Sequence, residues 1–129
     1  YRIMEYVVVR LRNNIDVIGS LKGQNDRGVD LKDACVIHYE IQESGYPTIL
    51  LYKYCQVNLD FDVHFPRDFV ANVFSDPIPT LVEYYERTIK RIHRNYKKAF
   101  DESEIDDLEN RDDIMLAMSE LYSANTTLQ

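Results

Sequence analysis

The sequence predicts a mainly β protein with C-terminal α structure: a five-stranded, strongly bent antiparallel barrel over residues 1–76, followed by one or two helices over residues 77–129. Three observations support this prediction. Apolar and polar residues alternate with a period of two up to about residue 74, which is typical of half-buried strands. Two of these runs far exceed the ~5–6 residues of an ordinary strand, and long strands in a small protein must bend. After Pro79 the period changes to 3.6, which indicates a helix.

The strand pattern is interrupted by clusters of Asn, Asp, Gly, Ser and Pro, which are typical of turns. Gly19 lies in the middle of the second strand, on its apolar face, while Asp16 and Ser20 fall on its polar face. A glycine inside a strand indicates a sharp bend or a close backbone approach. The prediction of a sheet that wraps around one interior therefore depends on Gly19. The predicted strands are 6–11, 15–23, 29–41, 48–65 and 69–74.

The C-terminal extension combines an amphipathic helix with an acidic segment. One helix face contains Leu81, Tyr85, Ile92 and Tyr96, which are expected to pack on the barrel. The opposite face contains six cations. An acidic segment over 101–113 follows, and a second helical segment is predicted further along the chain, at IMLAMSELY. The six cations are Arg87, Lys90, Arg91, Arg94, Lys97 and Lys98.

Charge is distributed unevenly along the chain, whose formal net charge is −7. Residues 1–100 contain 14 Lys and Arg against 13 Asp and Glu, a net charge of +1. Residues 101–129 contain 1 against 9, a net charge of −8. The acidic composition therefore does not exclude nucleic acid as a partner of the first part of the chain.

The cysteine count and the hydropathy indicate the cellular setting. Cys35 and Cys55 are the only cysteines, too few for a disulfide scaffold, and we expect both to be buried thiols in a reducing compartment. No window reaches the ~18 apolar residues of a membrane span. The chain does not open on a signal peptide. We therefore expect a cytoplasmic protein without a membrane partner.

Two segments resemble the motifs of a known family. VVVRLRNNIDVIGSLKGQNDRGVDLKDA, from residue 7 to residue 34, matches the first motif at Gly19, Leu21, Gly23, Leu31 and Ala34. FPRDFVANV, from residue 65 to residue 73, matches the second at Phe65, Val70 and Val73. Over residues 5–75 the chain thus resembles the Sm/LSm family, whose small barrels form rings and bind RNA.

Several positions depart from the family pattern. Asn25 stands where the first turn usually has an acid, and Arg27-Gly28 replaces the Met-Asn pair that normally follows. Pro66-Arg67 replaces the Arg-Gly pair of the second motif. These departures bear on the uridine pocket of the family rather than on its fold, and divergence of this kind resembles that of phage-encoded outliers.

The resemblance implies a homo-oligomeric ring of five to seven subunits, in which the fourth strand of one subunit pairs with the fifth of its neighbour. It also implies that single-stranded RNA or DNA binds at two turns, QNDR and PRDF. An Asn can read a base edge, an Arg can stack on a base or pair with phosphate, and a Phe can stack. The alternative is that these are ordinary hairpin turns. The candidate residues are Gln24, Asn25, Arg27, Arg67 and Phe69.

The basic helix face is a secondary candidate for nucleic acid, because a row of cations can follow phosphates. Two other interpretations stay open: a solvated helix face, and a face paired with the acidic segment 101–113.

Neither a metal site nor an active site is expected. Cys35 and His38 differ in parity, so they point to opposite faces of a strand and cannot share one tetrahedral ion. Asp60, Asp62 and His64 are explained by an alternating polar face, and no nucleophile or phosphate-loop motif occurs. The sequence therefore predicts a protein without cofactor or enzymatic activity that binds, anneals or protects nucleic acid. The alternative is a structural ring, or an interaction module of a phage or cellular assembly, without nucleic-acid binding.

Overall fold

The computed structural model describes residues 4–45 and 47–102. This part of the chain contains six strands, a 3-10 turn at Arg67–Phe69 and one long helix, α1, at Pro79–Glu102. The strands are β1 (Tyr6–Leu11), β2 (Asp16–Asn25), β3 (Gly28–Ile41), β4 (Pro47–Lys53), β5 (Val63–Pro66) and β6 (Val70–Phe74).

All six strands belong to one antiparallel sheet with the order β4-β3-β2-β1-β6. The short strand β5 pairs with the first part of β3, and β4 pairs with its second part on the same edge. Among the described residues, no ladder joins β4 or β5 to β6, so the hydrogen-bonded sheet is open. The prediction of a mainly β protein with a C-terminal helix is confirmed, whereas closure into a barrel stays a prediction.

The fourth predicted strand, 48–65, is wrong as a single element. It consists of β4 and β5, which are separated by an irregular segment at 54–62. Asn58 Nδ2 donates to the carbonyl of Asp60, and Asp60 Oδ1 accepts from the N–H of Asp62. Such local bonds from Asn and Asp compete with strand pairing. The sheet therefore has six strands, not five.

Gly19 lies at an irregularity in the pairing of β2 with β3. Ile18 pairs with Cys35 and Ser20 pairs with Lys32, so two residues of β3 lie opposite Gly19 alone. One of these two, Asp33, has a φ of 54°. A Cβ on Gly19 would lie 3.0 Å from the Cβ of Leu31. Gly19 thus lies opposite a β-bulge of β3, close to the backbone of Lys32.

The sheet buries residues on both faces. One face holds a core cluster to which β5 contributes Phe65, and against which Val70 and Val73 of β6 pack. The opposite face packs against α1 around Ile18, Tyr85 and other residues. The first cluster consists of Val7, Val9, Leu11, Val17, Val29, Leu31, Ala34 and Phe65. The second consists of Val8, Ile18, Cys35, Ile37, Leu51, Phe61, Tyr85 and Ile92.

The apolar face of α1 lies on the sheet as predicted. Tyr85 is fully buried, and its hydroxyl donates to the carbonyl of Asp33 at 2.6 Å. The second face of the sheet is therefore partly shielded from solvent. Asp16 and Ser20, predicted on a polar outer face, are both buried. A strand period of two cannot reveal that a distant helix covers the other face.

The remaining sequence predictions have different outcomes. Cys35 is buried, whereas Cys55 is only half-buried, and both are free thiols. Burial raises the pKa of the Cys35 thiol far above its ordinary value. The acidic segment 101–113 falls almost entirely outside the described residues, and the second helical segment wholly so. No helix in the described ranges has the length and apolar character needed to cross a membrane.

Candidate functional site

The hairpin between β2 and β3 forms the first half of the candidate site. Asn25 pairs with Gly28, which leaves Asp26 and Arg27 as the two turn residues. The side-chain Oδ1 of Asn25 accepts a hydrogen bond of 2.8 Å from the backbone N–H of Arg27. Asn25 thereby stabilises the turn, and its Nδ2 group is a further hydrogen-bond donor at this position.

Gly28 lets β5 approach the end of this hairpin. Its φ is 147°, a backbone conformation that side chains with a Cβ rarely adopt. A Cβ at this position would lie only 2.0 Å from the carbonyl oxygen of Phe65. The pairing of Gly28 with Pro66 therefore requires a glycine.

The 3-10 turn at Arg67–Phe69 forms the second half of the site. The backbone N–H of Arg67 donates to the carbonyl of Arg27 at 3.0 Å. On its other side, the carbonyl of Phe69 accepts from the N–H of Arg12 at 2.9 Å, and Arg12 Nε donates to the carbonyl of Asp68. Arg12 thus ties the 3-10 turn to the end of β1.

The two turns together form an open surface pocket of about 220 Å³. Three of the five predicted site residues line it: Gln24, Asn25 and Arg67. Arg27 and Phe69 are exposed on the same two turns but are not part of the lining. The other lining residues are Asp26, Gly28, Val29 and Val70.

The pocket is polar at its rim and apolar at its base. Gln24 and Asn25 supply amide groups, and Asp26 and Arg67 supply opposite charges. Val29 is buried and Val70 is half-buried. Planar polar groups fit such a surface, because amides and a guanidinium can bind their edges while apolar side chains contact their faces.

The sequence-based prediction omits four contributors to this pocket, Asp26, Gly28, Val29 and Val70. Asp26 belongs to a two-residue hairpin turn, and turn formation alone is enough to explain an acidic residue there. Val70 follows the 3-10 turn and lies in the apolar pattern of β6, which gives no signal of a role at the surface. Their contribution depends on β5 pairing with β3, which no local pattern reveals.

The polar residues of 60–64 that were considered for catalysis make contacts with different partners. His64 Nδ1 lies 2.7 Å from Asp30 Oδ1 across the pairing of β3 with β5. Asp62 instead accepts the N–H of Asp33 at 3.0 Å, and its carboxylate lies 3.6 Å from Lys22 Nζ. The polar side chains of 55–65, which the alternating pattern places on one strand face, thus contact different partners.

The six cations of α1 all lie on its exposed face, opposite the residues that pack on the sheet. We refer to this set as the basic face: Arg87, Lys90, Arg91, Arg94, Lys97 and Lys98. No ion pair joins any of them to a described side chain. The basic face and the pocket occupy different elements, so they form two separate candidate sites.

No family model matches the sequence, and no curated protein is significantly similar to it. The function proposed below is therefore argued from the geometry of the two turns and from the motif resemblance.

Proposed function

We propose that the chain is a ring-forming, Sm-like protein that binds single-stranded nucleic acid, with RNA as its preferred ligand, for processing or protection. One observation carries this proposal. Two turns that lie 40 residues apart, and that the motif resemblance identifies as nucleic-acid contacts, meet in one polar pocket. The proposal assigns binding to this pocket and no chemistry.

The size and chemistry of the pocket support a nucleobase as its occupant. A volume of about 220 Å³ is suited to one flat group rather than to a folded domain. Asn25 Nδ2 and the Gln24 amide can bind a base edge, and the Arg67 guanidinium can stack on a base or pair with its phosphate. Exposed bases of single strands are accessible to such contacts, whereas stacked and paired bases are not.

The first core cluster supports a sheet that curls toward a small barrel. Phe65 comes from β5 and Val73 from β6, which lie at opposite ends of the pairing path. Both nevertheless contact the same interior cluster. A flat sheet would keep these side chains several strand spacings of ~4.8 Å apart. Curvature of this kind is expected of an Sm-like barrel, with β4 and β5 together taking the place of its fourth strand.

The edges of the sheet support assembly into a ring. Within the described residues, β4 pairs only with β3 and β6 pairs only with β1. Unpaired strand edges tend to recruit another chain. Pairing of β4 with β6 of a neighbour would satisfy both edges at once, as the family resemblance implies for rings of five to seven subunits.

Fluorescence anisotropy with short single-stranded oligonucleotides tests the binding proposal. We expect oligo-U or oligo-A RNA to bind more tightly than the matching DNA, because the 2′-hydroxyl distinguishes the two. Arg67→Ala and Arg27→Ala should each weaken binding by about tenfold, equivalent to about 1.4 kcal/mol. Lys32→Gln is a control, because Lys32 is an exposed cation on β3 outside the pocket.

Light scattering tests the ring separately. A species of five to seven times the chain mass of 15.2 kDa is expected at micromolar concentration. A monomer would contradict the ring but not the pocket. A ring that binds none of the oligonucleotides at low salt would instead support the second candidate, a structural ring, which the two unpaired sheet edges favour.

A further inference from the structure

We infer that the basic face of α1 is a second nucleic-acid contact, which holds the phosphate backbone of a strand whose bases occupy the pocket. This inference rests on the proposed function and adds a contact that is independent of base sequence. Its partner is the phosphodiester backbone of single-stranded nucleic acid.

The spacing of the six cations matches a linear polyanion. They lie within the twelve residues from Arg87 to Lys98, a length of about 16 Å along the helix axis. Cations recur on each successive turn, so a positive charge is offered about every 5.4 Å. A row of this kind can contact several phosphates of one strand in succession.

The helix is anchored near both ends of this row. The Tyr85 hydroxyl donates to the Asp33 carbonyl at 2.6 Å, and the Tyr96 hydroxyl donates to the Asn58 carbonyl at 2.8 Å. Between them, Ile92 is buried in the core. The cations therefore project from a fixed backbone, which lowers the entropy lost when a ligand binds.

The basic face has few acidic neighbours among the described residues of the helix. No Asp or Glu occurs between Arg87 and Lys98. Glu83 and Glu86 lie four residues before Arg87 and Lys90, and Glu86 accepts a hydrogen bond from the Tyr6 hydroxyl. Like charges three or four residues apart destabilise a helix. A bound polyanion would relieve this repulsion, and released counterions would add to its affinity.

The sheet connects the basic face to the pocket. Gly28 lines the pocket, and Asp33, five residues further along β3, accepts the hydrogen bond from Tyr85 of α1. Five residues of a strand span about 16 Å. The cations lie on the side of α1 opposite Tyr85, so a single strand that contacts both places has to cross this span and the helix, whose diameter is about 10 Å.

The test compares oligonucleotides of two lengths on the full chain. Single strands of about 4 and about 16 nucleotides cover the range of site sizes of OB-fold modules that bind single strands. The variant carries Arg87→Gln, Lys90→Gln, Arg91→Gln and Arg94→Gln, all at exposed positions. The single variant Arg94→Gln is compared with the control Lys32→Gln, because Lys32 is an exposed cation outside both sites. Unchanged melting temperatures verify that the variants fold.

Affinities are measured by anisotropy from about 50 to 300 mM salt. The fourfold variant should bind the longer strand at least about tenfold more weakly at low salt, for RNA and DNA of any sequence. Its salt slope should be flatter by about 0.7 for each phosphate that the variant no longer neutralises. The shorter strand, which fills only the pocket, should bind almost as before. Glu83→Gln should strengthen binding of the longer strand.

Unchanged affinity and salt slope in the fourfold variant would overturn the inference, and so would an equal loss for both lengths. Arg67→Ala separates this failure from failure of the pocket: the pocket proposal fails if Arg67→Ala changes neither length. Replacing Asp106, Asp107 and Glu109 by amides in the full chain tests the competing occupant. If these amide substitutions tighten binding of the longer strand in the wild-type background but not in the fourfold variant, the acidic segment competes with nucleic acid for the basic face. That result would support the inference.

Discussion

The backbone N–H of Arg67 donates to the carbonyl oxygen of Arg27 at 3.0 Å, and this bond joins two turns that are 40 residues apart in the chain. The β2–β3 hairpin and the 3-10 turn thereby form one surface. Neither turn alone would enclose the pocket. The candidate site therefore depends on the short pairing of β5 with the beginning of β3.

Gly28→Ala should disrupt this pairing. The new Cβ would lie 2.0 Å from the Phe65 carbonyl oxygen, and a φ of 147° strains any residue with a side chain. We expect a loss of roughly 2–4 kcal/mol in the free energy of unfolding, or a loss of β5 pairing. Urea denaturation measures the first, and hydrogen exchange at Arg67 measures the second.

Gly23→Ala is the matched control on the same hairpin. Its Cβ would meet only the Asp30 carboxylate, at an ordinary 3.8 Å. The change in stability should stay within about 0.5 kcal/mol. Equal losses of stability in Gly23→Ala and Gly28→Ala would show that the requirement for glycine at position 28 does not come from the close approach of β5.

Much of the secondary structure follows from local pattern. The apolar run over residues 6–11 predicts β1 with its observed ends, and the helical period assigns the buried and exposed faces of α1 correctly. The irregular segment at 54–62 is not predicted, because its alternation of apolar and polar residues imitates a strand. Its side chains instead bond to nearby backbone groups, and Val57 and Leu59 remain exposed. Pattern alone cannot determine which of two local hydrogen-bonding schemes is adopted.

The change of faces within β3 is also beyond sequence reasoning. A period of two places Leu31, Asp33 and Cys35 on one side, but Leu31 and Cys35 belong to different core clusters. The left-handed conformation of Asp33 shifts the alternation by one residue. Asp occasionally adopts this conformation, yet its position in the bulge depends on Gly19 of the neighbouring strand.

Asp16→Asn should reveal a partly buried ion pair that stabilises the β1–β2 hairpin. Asp16 is buried and accepts two hydrogen bonds from Arg10, at 2.8 and 3.0 Å, and one of 2.7 Å from the Tyr39 hydroxyl. The bonds from Arg10, followed by that from Tyr39, hold the pKa of Asp16 below its ordinary value. The substitution should cost about 1–3 kcal/mol at pH 7.

The pH dependence follows from the direction of this shift. A lowered pKa in the folded protein stabilises it above the unfolded value of 3.8, and this contribution disappears as the pH falls through the folded value. The difference between wild type and Asp16→Asn should therefore shrink below about pH 4. Tyr39→Phe, which keeps the carboxylate and both bonds from Arg10, should show a smaller difference at pH 7. A difference independent of pH would exclude the ion pair as its cause.

Lys53→Met should stabilise the protein at neutral pH. The side chain of Lys53 is 1% exposed, with its Nζ 3.6 Å from the ring centroid of Tyr96 and bonded to the Asn58 carbonyl. Desolvation lowers the pKa of Lys53 to about 8. Because folding then favours loss of a proton, stability should increase with pH between about 8 and the unfolded value of 10.5.

Below pH 8 this cost is fully present, so Lys53→Met should gain about 2 kcal/mol at pH 7. The gain should decrease between about pH 8 and 10.5, because the wild-type lysine is then neutral in the folded protein and no charge is desolvated. Thermal or urea unfolding at several pH values measures it. Lys32→Met, at an exposed position, should show no such trend. A loss of stability in Lys53→Met at pH 7 would mean that the contacts with Tyr96 and Asn58 outweigh desolvation.

The close approach of β2 and β3 can be tested by a pair of substitutions at the bulge. In Gly19→Ala the Cβ would lie 3.0 Å from Leu31 Cβ and 3.2 Å from the Lys32 carbonyl oxygen, tighter than ordinary contact. We expect a cost of about 1–3 kcal/mol from this overpacking. Leu31→Ala, at a fully buried side chain, should cost about 2–5 kcal/mol through the cavity that it leaves.

The double variant distinguishes steric contact from a requirement for glycine itself. Removing the Leu31 side chain eliminates its Cδ1, which would lie 3.2 Å from the Cβ of an alanine at position 19, and gives the strands room to adjust. The loss of stability in the double variant, measured by urea denaturation, should therefore be smaller than the sum of the two single losses by about 0.5–2 kcal/mol. Strict additivity would mean that the cost of Gly19→Ala comes from the Lys32 carbonyl and the Leu31 Cβ, both of which Leu31→Ala retains. The close approach of the two backbones would then exclude a side chain at position 19, whatever the size of the side chain at position 31.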